Sequence, residues 1–246
     1  MPNPGHPFPE HWLNAAPERL GPNTLSDGVR VVTHLPSARK RRQALRFYQE
    51  LAPRLWEAGA RTPKLLEVEG DYLLCTWHPG RSDPGVAAHR AAGRWLRALH
   101  SLDGVPRDPM PLEQAFARRI AALLPALPEP WTAPLRTLDL SPLRGVKRLW
   151  CHRDLHPRNW LWDGEDLVVL DFEHAAPDLG ALDWVRVPER RALLAGYGGL
   201  KEQEEKLLFI AGVVNAAATL VWGLRHKDEH WVFTGQQRLR AWIPIG

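Results

Sequence analysis

The sequence predicts an α+β fold, in which strands come first along the chain and helices come later. Two observations support this prediction. The run VRVVTHL at residues 29–35 is rich in β-branched residues over the length of one strand, whereas residues 201–225 form a long and largely apolar helical segment. The 246 residues, of which 44% are hydrophobic and 24% charged, are enough for one large domain or two closely packed lobes.

The first part of the chain is predicted to form a small lobe built on strands. Its helix carries apolar side chains at helical spacing, and its last two strands join at Gly70. The predicted elements are an irregular start (1–28), a strand (29–35), a helix (38–58) and two strands (64–69 and 71–77). The loop HPGRSDPG that follows is interpreted as the linker, so that the N-terminal lobe spans residues 1–78 and the C-terminal lobe residues 79–246.

The larger lobe is predicted to be mostly helical, with a small group of strands in its middle. A proline-rich stretch at 125–142 is expected to be surface loop, and the turn DGED is expected to join two short strands. The predicted elements are helices at 86–102 and 112–124, strands at 146–152, 159–162 and 166–172, and helices at 188–195, 201–225 and 230–242.

Composition and charge limit the classes of function. The chain carries a net charge of +4, with 32 basic and 28 acidic residues, which is no nucleic-acid footprint by itself. Two cysteines cannot form a disulfide framework, and the opening MPNPGHPFPEHW lacks the apolar run of a signal peptide. We therefore expect a cytoplasmic protein with no nucleic-acid partner, and nothing in the sequence indicates its oligomeric state.

One apolar segment is long enough to be compared with a membrane span. Residues 207–224 contain no charge, but they include Asn215 and Thr219, and small residues dominate their middle. The acidic opening KEQEE joins the segment directly, as expected of a helix whose first turn favours carboxylates. A buried core helix is therefore predicted, and no membrane association is expected.

The segments CHRDLHPRNWLW (151–162) and LVVLDFEHA (167–175) carry the chemistry. In this pattern a loop leaves a strand, presents Asp154 and returns through Asn159 into the next strand, after which a hairpin delivers Asp171 beside Asn159. Two carboxylates and one carboxamide oxygen then converge, and such hard oxygen ligands suit Mg²⁺. The arrangement is that of phosphoryl transfer, in which Asp154 accepts the proton of an attacking hydroxyl while Asn159 and Asp171 hold metal.

These segments resemble the catalytic loop and metal-binding aspartate of kinase-fold phosphotransferases, and most of all those of the aminoglycoside phosphotransferase and choline kinase group. His156-Pro157 between base and Asn, the DFE in place of DFG, and the downstream PDLGALDWV favour this group. The resemblance implies a two-lobed protein-kinase-like fold with a reduced N-terminal β lobe. It also implies an Mg²⁺-dependent transfer of the γ-phosphate of ATP or GTP to a hydroxyl of a small molecule. In this comparison Asp183 is a buried structural acid.

Protein kinases share the HRDLxxxN pattern of the catalytic loop but fit the rest of the chain less well. Only about fifteen residues separate DFE from Val187-Pro188-Glu189, which is too few for a normal activation segment with a phosphorylation site. A small molecule is therefore preferred over a protein as the acceptor.

The nucleotide lobe departs from the family pattern of a lysine on the third strand and a glutamate on the next helix. Thr33 or His34 stands where the lysine is expected, the helical glutamate falls near Gln43 or Glu50, and LGPNTLSDG is the one segment left for a phosphate-covering hairpin. Two explanations stay open. Basic residues at the start of the helix replace the lysine, or the protein is a catalytically silent, kinase-like binding module. The residues assigned to nucleotide binding are His34, Lys40 and Arg41, with Arg42 as a further candidate.

Three further features have alternative interpretations. His152, Asp154 and His156 alternate as in a zinc site, although the sequence supplies no complete ligand set. Trp160 and Trp162 are expected in the core, with stacking on a ligand as the alternative. The carboxylates near the ends of the last two helices would suit a cationic acceptor, or they are merely exposed helix ends: Glu202, Glu204, Glu205, Asp228 and Glu229.

Overall fold

The fold is described from a computed structural model, which describes residues 9–13, 17–21, 23–83, 85–106 and 110–243. The strands are β1 (Glu18–Gly21), β2 (Thr24–Ser26), β3 (Arg30–His34), β4 (Leu65–Glu69), β5 (Tyr72–Thr76), β6 (Leu149–Cys151), β7 (Trp160–Trp162), β8 (Leu167–Val169) and β9 (Ala176–Asp178). The helices are α1 (Ala38–Arg46), α2 (Ala52–Glu57), α3 (Val86–His100), α4 (Leu112–Leu123), α5 (Thr132–Arg136), α6 (Arg190–Tyr197), α7 (Glu202–His226) and α8 (Glu229–Trp242). An antiparallel sheet early in the chain and a mostly helical remainder confirm the α+β prediction.

The chain divides into two compact units that are interleaved in sequence. The first contains the described residues up to Leu102 together with His152–Ala176 and Val187–Gly198. The second contains Asp103–Cys151, Pro177–Arg186 and the described residues from Gly199 onward. These units are not the two predicted lobes, and the lobe boundary after His78 stays a prediction.

The first unit is built around a five-stranded antiparallel sheet with the strand order β1-β2-β3-β5-β4. In its centre Val32 pairs with Leu74 and Thr33 with Leu73. Because side chains alternate across a strand, Val32 and Leu74 share one face, where Trp12 packs on them. Thr33 and Leu73 share the other face. The sheet therefore presents two chemically separate surfaces.

The start of the chain is more regular than the sequence predicted. Within the described part of residues 1–28, β1 and β2 form a hairpin, and Trp12 closes a short 3₁₀ turn and is buried. No periodic pattern predicts these strands, because they are only four and three residues long. The expectation of an irregular start is wrong for these residues, and LGPNTLSDG does form part of a hairpin.

The helix predicted at 38–58 is present, but its middle turn is a π-helix at Phe47–Leu51. The wider turn directly precedes Pro53, which cannot donate a backbone hydrogen bond to the preceding turn. Phe47, Leu51 and Leu55 remain buried, so the apolar face predicted from the sequence is the face that packs.

Strands β7 and β8 form the predicted hairpin of the first unit. Trp160 pairs with Val169 and Trp162 with Leu167, and the DGED turn lies between them. Asp163 stabilises that turn, since its Oδ1 accepts hydrogen bonds from the backbone N–H groups of Glu165 and Asp166 at 2.9 and 2.8 Å. The hairpin brings the residues on either side of it, Asn159 and Leu170, next to each other.

The second unit is mostly helical, and α7 is its longest helix. By length and composition α7 could cross a membrane, but 72% of its most apolar window is buried inside the protein. This burial confirms the prediction of a core helix. Helices α7 and α8 pack closely at Gly235, where an added Cβ would lie 2.5 Å from the Leu220 backbone.

The proline-rich stretch at 125–142 is not simply surface loop, as the sequence predicted. It contains α5 and two short 3₁₀ turns, and Trp131, Thr132 and Leu135 are buried. Prolines lie within the first residues of these short turns, where their missing N–H groups cost nothing. The same prolines that predicted a loop therefore begin short helical turns.

Candidate active site

His152 holds the start of the catalytic loop in place. Its ring is fully buried; Nε2 donates to the carbonyl of Leu170 at 2.7 Å, and Nδ1 accepts from the backbone N–H of Asp154 at 3.3 Å. The two bonds require the neutral tautomer protonated on Nε2. One side chain thus ties Asp154 to the residue that precedes Asp171.

Asn159 holds Asp154 from the other end of the loop. Its Nδ2 donates to the backbone carbonyl of Asp154 at 2.8 Å and to the carboxylate Oδ2 of Asp154 at 3.2 Å. The backbone of Asn159 accepts from the N–H of Leu170 at 2.9 Å, which places it beside Asp171. Because the amide nitrogen is used in these bonds, the carbonyl oxygen Oδ1 is the atom of Asn159 left to act as a ligand.

Asp171 follows β8 in the left-handed backbone region, with φ of 60°. Arg153, at the other side of the site, has φ of 67°. Such conformations are costly for non-glycine residues and are found disproportionately at functional sites. The turn after Asp171 is held by Phe172, whose ring stacks on Phe47 with centroids 3.6 Å apart.

The pKa of Asp171 is raised, first because the surrounding protein desolvates its carboxylate and then because Glu173 lies close to it. The charge of Asp154 adds to the effect. Asp171 is nevertheless exposed toward the cavity that it lines. A bound cation there would offset the cost of keeping this carboxylate charged.

A cavity of about 640 Å³ in the first unit has Asn159 and Asp171 at one end. Its volume is in the usual range for a small-molecule ligand site. Its other wall is the second face of the sheet and the adjacent helix, which contribute mainly apolar or uncharged groups: Val31, Thr33, Leu35, Ala44, Tyr48, Leu73 and Cys75.

The structure decides between Thr33 and His34 as the β3 residue that faces the cavity. Thr33 shares a face with Leu73 and lines the cavity, whereas the His34 ring stacks on Tyr72, with centroids 4.7 Å apart, on the face of Val32. His34 also borders the cavity, but its ring is stacked on Tyr72. Its imidazole is therefore not brought together with Asp154 and Asp171, because successive strand residues point to opposite faces.

Lys40 is brought to the site. Its Nζ lies 2.6 Å from Oε1 of Glu173, which lines the cavity, and His174 Nε2 lies 3.2 Å from the same oxygen. The hydrogen bond from His174 and the ammonium of Lys40 lower the pKa of Glu173 to about 2, against the effect of its partial burial. Glu173 is therefore charged near neutral pH.

Arg41 points elsewhere. Its guanidinium pairs with Asp71 in the β4–β5 turn and donates to the carbonyl of Leu35 at 3.0 Å, so it holds the start of α1 on the sheet. Glu50, a candidate for the helical glutamate, forms an exposed pair with Arg46 at 2.9 Å. Both residues lie on surfaces of the helix that do not line the cavity.

Sequence reasoning missed two cavity residues. Arg158 is exposed and lines the cavity one position before Asn159, a place that the motif itself could have shown. Tyr48, read only as an apolar helix position, has a raised pKa because of burial and the neighbouring Cys75. Burial likewise raises the pKa of the Cys75 thiol to about 12, so Cys75 is a neutral wall residue.

The alternative of a zinc site is wrong for the His152 side chain, because both of its ring nitrogens are used in backbone hydrogen bonds. His156 also bonds the backbone, since its Nδ1 accepts from the N–H of Arg158 at 3.1 Å. Trp160 is a core residue as predicted, fully buried with its Nε1 donating to the carbonyl of Asp83 at 3.0 Å.

In the second unit, Asp183 is buried, as predicted for a structural acid. The acids considered for a cationic acceptor lie at helix starts. Glu202, Glu204 and Glu205 belong to the first turn of α7, and Asp228 caps α8 by accepting from the N–H of Trp231 at 3.2 Å. These positions support the interpretation as exposed helix ends.

Comparison with solved structures shows the same fold in several phosphotransferases. The GDP complex of wild-type aminoglycoside 2'-phosphotransferase-IIIa has a TM-score of 0.66 at 18% identity, covering 93% of this chain and 92% of its own. A choline/ethanolamine kinase family protein from Mesorhizobium loti has a TM-score of 0.68 at 18% identity, covering 93% and 87%. The macrolide 2'-phosphotransferase MphH from Brachybacterium faecium has 0.60 at 16%, covering 94% and 91%. The predicted kinase-like fold is thereby confirmed.

No curated protein sequence matches the chain significantly. The sequence profile of the phosphotransferase enzyme family, in contrast, matches residues 22–199, which is well over half of the chain. That range includes β3, the helix carrying Lys40, and the whole segment from His152 to Asp171. The chain belongs to the phosphotransferase enzyme family.

Proposed function

We propose that the protein transfers the γ-phosphate of ATP or GTP to a hydroxyl group of a small molecule. The observation that carries the proposal is that Asn159 and Asp171 line a cavity of ligand size and that Asn159 holds the Asp154 carboxylate beside them. Retention of all three side chains also weighs against a catalytically silent binding module.

Asp154 is proposed as the general base. Its carboxylate is partly exposed, and its position is fixed by Asn159 and by the backbone bond to His152. A carboxylate held in this way can orient the acceptor hydroxyl and take its proton as the oxygen attacks phosphorus. Positioning of the reactants supplies much of the rate in such transfers.

Asn159 and Asp171 are proposed as Mg²⁺ ligands. The donor set fits: a carboxamide oxygen not used in the loop's hydrogen bonds and a carboxylate whose charge is disfavoured by its surroundings. When bound, Mg²⁺ would neutralise charge on the phosphates. The chain's own contribution is to hold these two oxygens in place through the His152 and Leu170 bonds.

The cavity is proposed to take the nucleotide, with the apolar sheet face against the base and sugar and the Asp171 end near the phosphates. A GDP complex of a protein with this fold supports nucleotide binding. Of the three basic residues assigned from the sequence, Lys40 is retained as the phosphate contact, while His34 and Arg41 contribute by holding the wall. The acceptors of the similar proteins, named as aminoglycosides, macrolides and choline or ethanolamine, define the compounds to test.

The proposal is tested by thermal shift and turnover. ATP and GTP are added with and without Mg²⁺, and nucleotide hydrolysis or transfer is then measured against panels of aminoglycosides, macrolides and amino alcohols. We expect Mg²⁺-dependent stabilisation by a nucleotide and turnover that requires a hydroxyl acceptor. A protein that no nucleotide stabilises and that turns none over would contradict the proposal and favour the silent binding module.

A further inference from the structure

A nucleotide in the cavity would meet an excess of negative charge at its phosphate end. Asp171 and Glu173 line the cavity there, and Asn159, which also lines it, holds the Asp154 carboxylate at 3.2 Å. Phosphates would add several further negative charges. A positively charged side chain near these groups is therefore needed for tight binding, because unpaired like charges at short range are strongly unfavourable.

The sheet does not supply that charge. Among the described residues of β3 and β5 that face the cavity, Val31, Thr33, Leu73 and Cys75 carry none at neutral pH. Two described basic residues lie near the phosphate end. Lys40 contacts Glu173 at the cavity wall, and Arg158 lines the cavity from the catalytic loop.

Lys40 is the better positioned of the two. It is the third residue of α1, and the Ser37 hydroxyl caps this turn by accepting from its backbone N–H at 3.5 Å. Arg41, the next residue, fixes the same turn on the sheet through Asp71 and Leu35. The Lys40 side chain is 42% exposed, so its ammonium is accessible to a ligand while it contacts Glu173. An ammonium has three donors, and Glu173 uses one of them.

Glu173 is in turn held firmly. Its side chain is only 17% exposed and is contacted by both Lys40 and His174. It follows Asp171 by two residues, with Phe172 stacked on Phe47 between them. Asp171 and the carboxylate that contacts Lys40 therefore lie on one short segment that is packed against the helix.

We infer that Lys40 is the phosphate-binding cation of this enzyme and that Glu173 is the residue that positions it. The ion pair therefore joins α1 to the segment after Asp171, whereas the family pattern has a lysine on a strand and a glutamate on the next helix. This inference rests on the proposed function and adds to it a specific pair of residues. The rival explanation is that the pair only ties α1 to the DFE segment and affects folding alone.

The test measures the affinity for ATP and GTP by isothermal titration calorimetry, together with thermal unfolding, for Lys40→Met, Glu173→Gln, Arg158→Met and the control Arg39→Met. Arg39 is an exposed cation in the same turn of α1. Losing a charge-assisted bond to phosphate should weaken binding about tenfold to a hundredfold in Lys40→Met. Glu173→Gln should weaken it less, Lys40→Arg should retain most of it, and Arg39→Met should leave it unchanged.

A rescue variant separates a phosphate contact from a structural tie. Thr33→Lys places an ammonium on the cavity face of β3, and in the Lys40→Met background it should restore a substantial part of the nucleotide affinity. A lower unfolding temperature without a change in affinity would overturn the inference in favour of the structural tie. If only Arg158→Met loses nucleotide affinity, the inference is overturned and Arg158 is the phosphate-binding cation. If the wild-type protein turns nucleotide over and Lys40→Met leaves the nucleotide affinity unchanged, the inference alone is overturned. If the wild-type protein binds no nucleotide, both proposals are overturned.

Discussion

The two ends of the cavity are assembled in different ways. In the catalytic segment the contacts are local: His152 bonds the backbone of Asp154 two residues away, Asn159 bonds Asp154 across five residues, and His152 reaches Leu170 across eighteen. At the helix wall the contacts are distant, since Lys40 and Glu173 are 133 positions apart in the sequence. The groups proposed for the chemistry are thus fixed within one short segment, whereas the charge proposed to hold the nucleotide depends on the whole unit being folded.

The two ends also differ in their electrostatics. The surroundings of Asp171 disfavour its charged form and raise its pKa, whereas those of Glu173 favour the charged form and lower its pKa. An acid whose pKa is raised by its surroundings is typical of a ligand-binding or catalytic site, and an acid whose charge is paired with neighbours is typical of a structural or positioning role. Substitutions at each end should therefore affect different measurements.

The largest expected effect is at Asp154. Replacing it with Asn keeps an oxygen that can accept from Asn159 but removes the proton acceptor, so turnover should fall by about two to four orders of magnitude. Nucleotide affinity should change by less than about twofold, since the proposed metal ligands remain. Steady-state rates and calorimetry measure the two quantities, with the exposed turn residue Glu165→Gln as the control. Full activity in Asp154→Asn would rule out the proposed mechanism.

Asp171→Asn should separate ligand binding from folding. The affinity for nucleotide with Mg²⁺ should fall at least about tenfold, while that for nucleotide alone should not fall, since one charge that repels the phosphates is removed. Without metal, the variant should unfold at a higher temperature than the wild-type protein. The raised pKa of Asp171 means that folding disfavours its charged form, and Asn tolerates the left-handed backbone at this position. A destabilised variant would show that Asp171 is a structural acid.

Local fixation of the catalytic loop is tested by His152→Ala. The change removes a buried ring and leaves the Leu170 carbonyl and the Asp154 N–H without their partner, so the free energy of unfolding should fall by about 1 to 3 kcal/mol. Urea denaturation at an unchanged m-value measures the loss. His156→Ala removes a partly exposed ring that accepts one backbone hydrogen bond and lies 3.8 Å from the Asp154 carboxylate, and it should cost less than about 1 kcal/mol. Equal costs would mean that the loop is not held by His152.

The smallest expected effect is on the stability of the protein at acid pH, through the Glu173 carboxylate beside α1. The pKa of Glu173 is lowered to about 2, so its contribution to stability is complete above its ordinary value of 4.5 and is lost as pH falls toward 2. Glu173→Gln should remove this part of the acid sensitivity, which is on the order of 1 kcal/mol. Denaturation curves between pH 5 and about pH 2.5 provide the measurement, and an unchanged pH profile would contradict the pairing with Lys40 and His174.

Several elements could be predicted because their signals are local. Strand β3, the helix from Ala38, the β7–β8 hairpin and the long helix α7 each have a pattern of apolar residues that the structure follows. Short strands gave no such pattern, and so β1, β2 and β9 were missed. The prolines at 125–142 predict a loop, and the prediction fails because the burial of Trp131 and Leu135 depends on packing that the local sequence does not show.

By itself, the sequence determined the family and the residues proposed for the chemistry, because Asp154, Asn159 and Asp171 lie within one segment whose spacing sets their convergence. Only the tertiary structure decided which basic residue comes close to them. Thr33 and His34 differ by one position on a strand, and Lys40 and Arg41 by one position on a helix. Strand register decides that Thr33 faces the cavity while His34 stacks on Tyr72, and the partners Glu173 and Asp71 decide that Lys40 contacts a cavity residue while Arg41 does not. Those partners are distant in sequence, and no local pattern encodes their approach.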